Sequence, residues 1–301
     1  MTVAYIFPGQ GSQVVGMGRD LCQNYPLARE LFEQADQTLK MSLTRLCFEG
    51  PEDELRQTQN AQPALVTVSY ACLKIAQGNL PPPAFVAGHS LGEYTALAAA
   101  GVLDFATAVY LARERGRLMH EAGQKQPGGM AAVLGQEEGK LASLCAETGT
   151  QLANINCPGQ MVISGAEENL NRACETLKSG GSKVIRLPVS GAFHSPLMQP
   201  AAEGLAKVIA SLKFRPATVP IIANASAKPV TQPEEIKSEL LTQLCHSVQW
   251  QRSVEYMLAQ GVDTFIEIGP GKVLTGLIKR INKDVKTLNI GDVAAIKALG
   301  G

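Results

Sequence analysis

The sequence predicts an α/β protein in two parts: a larger part built on a mostly parallel, helix-covered sheet, and a small ferredoxin-like unit inserted into it. Two observations carry that prediction. Short apolar runs at 3–7, 84–87 and 264–268 end in glycine or proline and alternate with helical stretches, as expected of strands buried on both faces. Between 126 and 188 the style changes to strand–helix–strand–strand–helix–strand, the split-βαβ order. At 301 residues the chain is long enough for one large unit and a smaller one. The boundaries read as 1–125 and 189–301 for the larger part and 126–188 for the insertion.

The run 3–7 is a buried strand stopped by Pro8-Gly9, with helices at 26–40 and 52–57 after it. Apolar residues recur at helical spacing over 62–76, and Pro63 suits a first helical turn. Three prolines at 81–83 lead into the strand 84–87, followed at once by Gly88-His89-Ser90-Leu91-Gly92 and an alanine-rich helix that stops at Gly101. Asp104 is placed to cap a long helix reaching about Glu121. The linker-like GQKQPGG at 123–129 opens the insertion, with strands at 130–134, 151–156, 160–164 and 183–188 and helices at 136–147 and 167–178. A helix over 196–212, a strand at 218–223, helices at 233–245 and 250–260, the strand 264–268 and a helix ending near Asn282 complete the larger part.

Lys plus Arg equals Asp plus Glu, 27 each, so nothing favours nucleic acid as a partner. The basic cluster Lys279, Arg280, Lys283 and Lys286 reads as a solvated helix face. Seven cysteines, an odd number with wide gaps and no CxxC, argue against a disulfide framework or a zinc site and for a reducing compartment. The N-terminus lacks the pattern of a secretory signal, and no apolar stretch is long enough to span a membrane. The expectation is a cytoplasmic protein, or one of a plastid-like stroma if the source is an organelle-bearing cell, with neither metal nor bound cofactor.

Gly88 to Gly92 fits G-x-S-x-G in the context that gives the pattern meaning, a strand before it and a helix after it, which makes the larger part α/β-hydrolase-like. Ser90 would project at a helix N-terminus, with the Leu91 N–H as an oxyanion donor. The competing reading is a serine that only caps the helix. A serine nucleophile needs a base. His89 adjoins Ser90 in a sharp turn and reads as a packing residue; His120 sits among charges and reads as solvated. The residues alone leave His194, in the loop GAFHSP, and His246, a candidate core residue, as equal choices. On the helix after Asp104, Arg115 is flanked at helical spacing by Leu111, Ala112, Leu118 and Met119, so it points to the apolar side. Such an arginine needs a carboxylate, either from a distant Asp or Glu or from a substrate.

At this point the chain resembles a known family: the malonyl-CoA:acyl carrier protein transacylases of fatty acid synthesis, with the acyltransferase domains of polyketide synthases. The likeness lies in FPGQGSQ at 7–13, TQNAQPAL at 58–65, GHSLGEY at 88–94, Glu114-Arg115-Gly116, GGMAAVLG at 128–135, NCPGQMVISG at 156–165, PVSGAFHSPLM at 188–198, VQWQRSV at 248–254 and EIGPGKVLTGLIKR at 267–280. It implies Ser90 as nucleophile and His194 as base, with Gln249 orienting the histidine through its backbone carbonyl. It further implies Gln10 and Leu91 as oxyanion donors, Arg115 as the holder of a malonyl carboxylate, and Phe193 as a ring that crowds an α-methyl group. Relatives more often read His-Ala-Phe-His there, and Gly191 departs from that. The implied partners are malonyl-CoA, CoA and acyl carrier protein, with no nucleic acid, no membrane and a monomeric chain. A serine hydrolase is the main rival; its base histidine usually comes near the chain end, yet over a third of this chain follows His194. A non-catalytic acyl-CoA binding module is the other.

Overall fold

The computed structural model describes residues 1–300 and lays ten strands into two sheets. In chain order, β1 (Val3–Phe7) and β2 (Phe85–Gly88) precede β3 (Gly128–Leu134), β4 (Gln151–Cys157), β5 (Gln160–Ala166) and β6 (Lys183–Arg186); β7 (Ile221–Ile222), β8 (Pro229–Val230), β9 (Thr264–Ile268) and β10 (Lys286–Ile290) follow. The larger sheet runs β10-β9-β1-β2-β7-β8 and is parallel throughout except for the β7–β8 pair. All five residues of β1 are buried. Val3, Tyr5 and Phe7 feed one hydrophobic cluster while Ala4 and Ile6 feed another across the sheet. A strand covered on both faces has no polar side, which is why it reads as an unbroken apolar run.

The second sheet, β4-β5-β3-β6, is antiparallel. Along β3, Ala131 and Val133 turn toward the helices Glu138–Thr148 and Glu167–Ser179, while Met130 and Ala132 face the larger body. Its β4 edge is not left open. Ile155 N–H donates to Val248 O at 2.9 Å, and Val248 N–H donates to Ala153 O at 2.8 Å, so a segment just before the helix Trp250–Ala259 acts as a fifth partner. The small sheet therefore forms a fixed wall beside the C-terminal ends of β1 and β2.

Several expectations need correction. The helix expected from Gln62 starts four residues earlier, at Thr58, and runs to Ala76, so Pro63 lies inside it. A proline there removes the N–H that the carbonyl four residues back would receive. Arg113, on the helix Phe105–Lys125, supplies the missing donor: its Nη1 lies 2.8 Å from Gln59 O. Sequence reading also passed over the short helices Arg19–Asn24, Leu43–Glu49 and Val293–Lys297 and the strands β8 and β10. The basic segment is exposed as expected, yet it is tied down: Lys279 Nζ donates to Lys283 O at 3.2 Å and Val285 O at 2.6 Å, and Arg280 Nη2 reaches Pro158 O at 3.3 Å on the β4–β5 hairpin. Lys286 is not on that helix but opens β10.

Substituting Arg113→Leu should lower unfolding stability by about 1–2 kcal/mol, since a polar group loses its charged partner. Adding Pro63→Ala on that background should recover part of the loss, because alanine restores the intrahelical N–H. Urea denaturation of the two variants checks this; a double variant no more stable than the single one would disprove the compensation.

Candidate active site

The pocket opens where the chain leaves β1 and β2, at the C-terminal ends of parallel strands, the usual place for a site in such sheets. The turn after β2 has no room for side chains at its flanks. A Cβ at Gly88 would lie 1.9 Å from Gly92 C, and one at Gly92 would lie 2.1 Å from Phe7 O. Between them Ser90 takes the left-handed conformation, φ 51°, which costs an L-residue free energy and holds the side chain clear of the turn. Asn224, just past β7, secures this elbow from both ends. Its Oδ1 accepts from Ser90 N–H at 2.6 Å and its Nδ2 donates to Gly88 O at 2.7 Å.

Ser90 Oγ lies 2.8 Å from His194 Nε2. Of the two candidate histidines, the structure brings His194 to the serine. His246 is exposed, its Nδ1 2.9 Å from Thr242 O, so the core role considered for it does not hold. His89 instead packs against Trp250, ring centroids 5.6 Å apart, with Nε2 2.8 Å from Asn156 Oδ1; His120 is half-buried on its helix. His194 itself has φ 57°, a second left-handed non-glycine residue in the same site. Its Nδ1 sits 2.7 Å from the backbone carbonyl of Gln243. A carbonyl can only accept, so Nδ1 carries the proton and Nε2 presents a lone pair to the serine hydroxyl.

The residue behind the histidine is thus Gln243 and not Gln249. Gln249 stands at the start of the helix Trp250–Ala259, where its carbonyl accepts from the Ser253 N–H and hydroxyl, 2.9 and 3.0 Å away. Gln243 lies in the last turn of the helix Pro233–Cys245, where carbonyls have no helical partner and remain free to accept. The end of this helix near Cys245 is the one sequence sign of it. Burial of the imidazole, and then the nearby Arg115 cation, pushes the His194 pKa down to about 3. The imidazole is therefore held neutral.

Arg115 is buried to 1% exposure. Of the two sources of a carboxylate considered, a distant Asp or Glu is not the one: its partners are neutral oxygens. Nη1 donates to Gln62 Oε1 at 2.9 Å, and Nη2 donates to Gln243 Oε1 at 2.8 Å and to Ser90 Oγ at 3.0 Å. The Tyr94 ring lies beneath it at 5.3 Å, and Nε has no partner among the described residues. Burial lowers the pKa of this guanidinium, the signature of a cation short of counter-charge. The nearest acid, Glu93, reaches it only through Gln243, whose Nε2 donates to Glu93 Oε2 at 2.9 Å; burial raises the Glu93 pKa.

The cavity holds about 430 Å³ and is lined by Gln10, Ser90, Arg115, Met130, Phe193 and His194 among others. Among the described residues, the backbone N–H groups of Gln10 and Leu91 donate to no protein acceptor. The Leu91 N–H stands at the head of the helix Gly92–Ala99, beside the serine. Phe193 is 5% exposed, and a Cβ at Gly191 would come within 2.9 Å of its ring. Besides Gln243, sequence reading missed Asn224, Gln62, Thr58 and Glu93. Gln62 and Glu93 are polar side chains in runs that are otherwise buried, whereas Thr58 and Asn224 sit at the ends of such runs beside exposed positions. No group of three or more His, Cys, Asp or Glu able to hold a metal ion occurs among the described residues, and no described helix is long and apolar enough to cross a membrane.

Comparison with known proteins agrees over the whole chain. The family described as "Acyl transferase domain" matches residues 4–296. The malonyl CoA-acyl carrier protein transacylase of Bacillus subtilis is 48% identical over 301 residues, covering 98% of this chain and 95% of that protein. The crystal structure of acyl-carrier-protein S-malonyltransferase from Bartonella henselae superposes with a TM-score of 0.95 at 42% identity, covering 100% of both chains. A chain in the structure of a type II PKS acyl-carrier protein in complex with its malonyl-transacylase superposes with a TM-score of 0.96 at 38% identity, covering 99% of each chain.

A fluorophosphonate should label Ser90, with an adduct visible by intact mass and absent in Ser90→Ala. If neutral His194 is the group that takes the proton, its pKa, lowered from 6.5 to about 3, sets the acid limb. The labelling rate should therefore stay level from about pH 7 to about pH 5, whereas an ordinary imidazole would lose it over that range. Arg115→Met should move the acid limb upward by about one unit or more, because a cation no longer opposes protonation. A limb at the ordinary histidine value in the unaltered protein would overturn the assignment.

Proposed function

The chain belongs to the acyl transferase domain family, and from that premise we propose how it carries a malonyl group from malonyl-CoA to the phosphopantetheine thiol of acyl carrier protein: by a ping-pong route through an ester on Ser90. The observation that carries this reading is the Ser90–His194 pair with an unpaired buried cation 3.0 Å from the same hydroxyl oxygen. In the first half-reaction His194 Nε2 takes the Ser90 proton as Oγ bonds to the thioester carbon. Negative charge collects on the former carbonyl oxygen, where the N–H groups of Gln10 and Leu91 receive it. The tetrahedral species collapses, the C–S bond breaks, and the CoA sulfur leaves with the proton from His194. The second half reverses the roles: the carrier thiol gives its proton to His194, attacks the ester carbonyl, and Ser90 departs with that proton.

Gln243 O is a neutral acceptor for the His194 N–H, which supports a dyad without a third carboxylate. Arg115 would exchange its contacts with neutral oxygens for two parallel bonds to the malonyl carboxylate. An acyl group without that charge leaves the cation unpaired, so acetyl should be rejected. Phe193 would bound the space beside the malonyl α-carbon, with Gly191 leaving room for its ring where a Cβ would come within 2.9 Å. The chemistry draws only on this chain's own groups and the two thiol carriers. Seven buried free cysteines support a reducing, cytoplasmic setting. The strand–serine–helix turn and the strand order of the antiparallel sheet support reading 1–125 and 189–301 as an α/β-hydrolase-like unit and 126–188 as an inserted ferredoxin-like unit.

Intact-protein mass after mixing with malonyl-CoA should show a malonyl adduct that Ser90→Ala abolishes, and little adduct from acetyl-CoA. Arg115→Ala should slow malonyl loading by about 100-fold, the loss of a charged double hydrogen bond. An unchanged preference for malonyl over acetyl in that variant would remove Arg115 from the clamp role. Release to water faster than to the carrier thiol would favour a hydrolase instead.

A further inference from the structure

A line of hydrogen bonds, buried until it reaches the half-exposed Gln10, runs from the clamp to the oxyanion turn, and the chemistry above makes no use of it. Arg115 Nη1 donates to Gln62 Oε1 at 2.9 Å, Gln62 Nε2 donates to Thr58 Oγ1 at 2.9 Å, and the Thr58 hydroxyl donates to Gln10 Oε1 at 2.7 Å. Arg115, Gln62 and Thr58 are 1%, 0% and 2% exposed, so water does not compete for these groups. The direction of the line is forced. A guanidinium only donates, so Gln62 must turn its carbonyl toward Arg115 and its amide N–H toward Thr58. The Thr58 oxygen then receives that N–H, and its own proton goes to Gln10. Donors in series polarise one another, most strongly when the first is a cation.

The far end of the line is where anchoring is needed. Gln10 sits between Gly9 and Gly11, the latter at φ 104°. On one side Gly9 packs against the His89 carbonyl, where a Cβ would lie 2.4 Å from the oxygen; on the other the backbone has few bonds, Ser12 N–H reaching Gly9 O only at 3.4 Å and Gly11 N–H bonding the Gln13 side chain at 2.7 Å. A backbone N–H carried on a glycine-flanked turn samples many directions, whereas oxyanion stabilisation demands one. The Gln10 side chain is the tether, and Thr58 is the post to which it is tied.

We propose that Thr58 is a positioning residue for the reaction: its hydroxyl fixes the oxyanion turn against the Arg115 clamp, so that the group binding the acyl carboxylate and the group stabilising the acyl oxyanion keep one geometry. The proposal rests on the roles given above to Gln10 and Arg115. Misplacing the oxyanion end should tell in the transition state more than in ground-state binding, because Arg115 keeps its own bonds to Gln243 and Ser90.

The test is steady-state malonyl transfer from malonyl-CoA to holo-acyl carrier protein by the full chain. Thr58→Val, nearly the same shape, should lower kcat by about 10- to 100-fold with KM for malonyl-CoA changed by less than about 3-fold. Thr58→Ser should restore most of the rate. Gln10→Leu cuts the tether at its other end while keeping the backbone N–H; it should give a similar loss, and the double variant should be no worse than either single one. Thermal unfolding measured alongside separates a folding defect from a kinetic one, and Gln10→Leu carries the test if Thr58→Val does not fold. Unchanged kcat in Thr58→Val or Gln10→Leu, serine no better than valine, or additive losses would overturn the proposal. Should Ser90→Ala or Arg115→Ala load malonyl normally, the catalytic reading fails and this one with it; if both lose loading while Thr58→Val keeps its rate, only the tether is wrong.

Discussion

Burying a guanidinium with no carboxylate beside it sets the terms for everything around Ser90. Each N–H of Arg115 that the protein satisfies takes up a neutral oxygen, and those oxygens belong to Gln62, Gln243 and Ser90 itself. Neutral partners hold the cation without cancelling its charge, so the site keeps a positive potential that an incoming carboxylate can relieve. The same potential weighs on His194 and helps to keep its imidazole unprotonated. One unpaired charge thus sets the potential of the pocket and bears on the His194 imidazole together. Gln243 is the residue on which both converge, since its side chain meets Arg115 and its carbonyl meets His194.

Holding this arrangement has a conformational cost that the surrounding fold must bear. Ser90 and His194 both adopt left-handed backbone, at φ 51° and φ 57°. Neither is a glycine or an asparagine, the residues that tolerate that region with least strain. The elbow is held by Asn224 from one side and by the close approach of Gly88 and Gly92 from the other. Asn224 is fixed in turn, its N–H donating to Glu93 Oε2 at 3.2 Å. Strain at reacting atoms persists because several independent contacts over-determine it.

What the sequence made legible was local in character. The serine turn could be read because it needs two glycines, a strand and a helix within a dozen residues. Arg115 could be read because helical spacing alone assigns it to the apolar side. The base could not be fixed from the residues, since His194 and Ser90 lie 104 positions apart and only the folded sheet brings them together. Gln249 was displaced by Gln243 for a related reason: a backbone carbonyl carries no side-chain signal, and its availability depends on where a helix ends. Pro63 misled in the same way. It looks like a helix start until Arg113, 50 residues further on, is seen to replace the N–H that proline lacks.

The seam between the two sheets bears on how such a chain can be recombined. The antiparallel sheet is connected through the chain at its two crossovers, yet β4 also pairs with Val248 and the β4–β5 hairpin receives Arg280. Both of those partners lie far along the sequence from the segment that forms this sheet. A chimera that exchanged residues 126–188 alone would import one half of a hydrogen-bonded edge and leave its complement behind. The transferable cassette is therefore discontinuous, and its limits are drawn by the strand pairing at 248 and the contact at 280 more than by where the polypeptide enters and leaves.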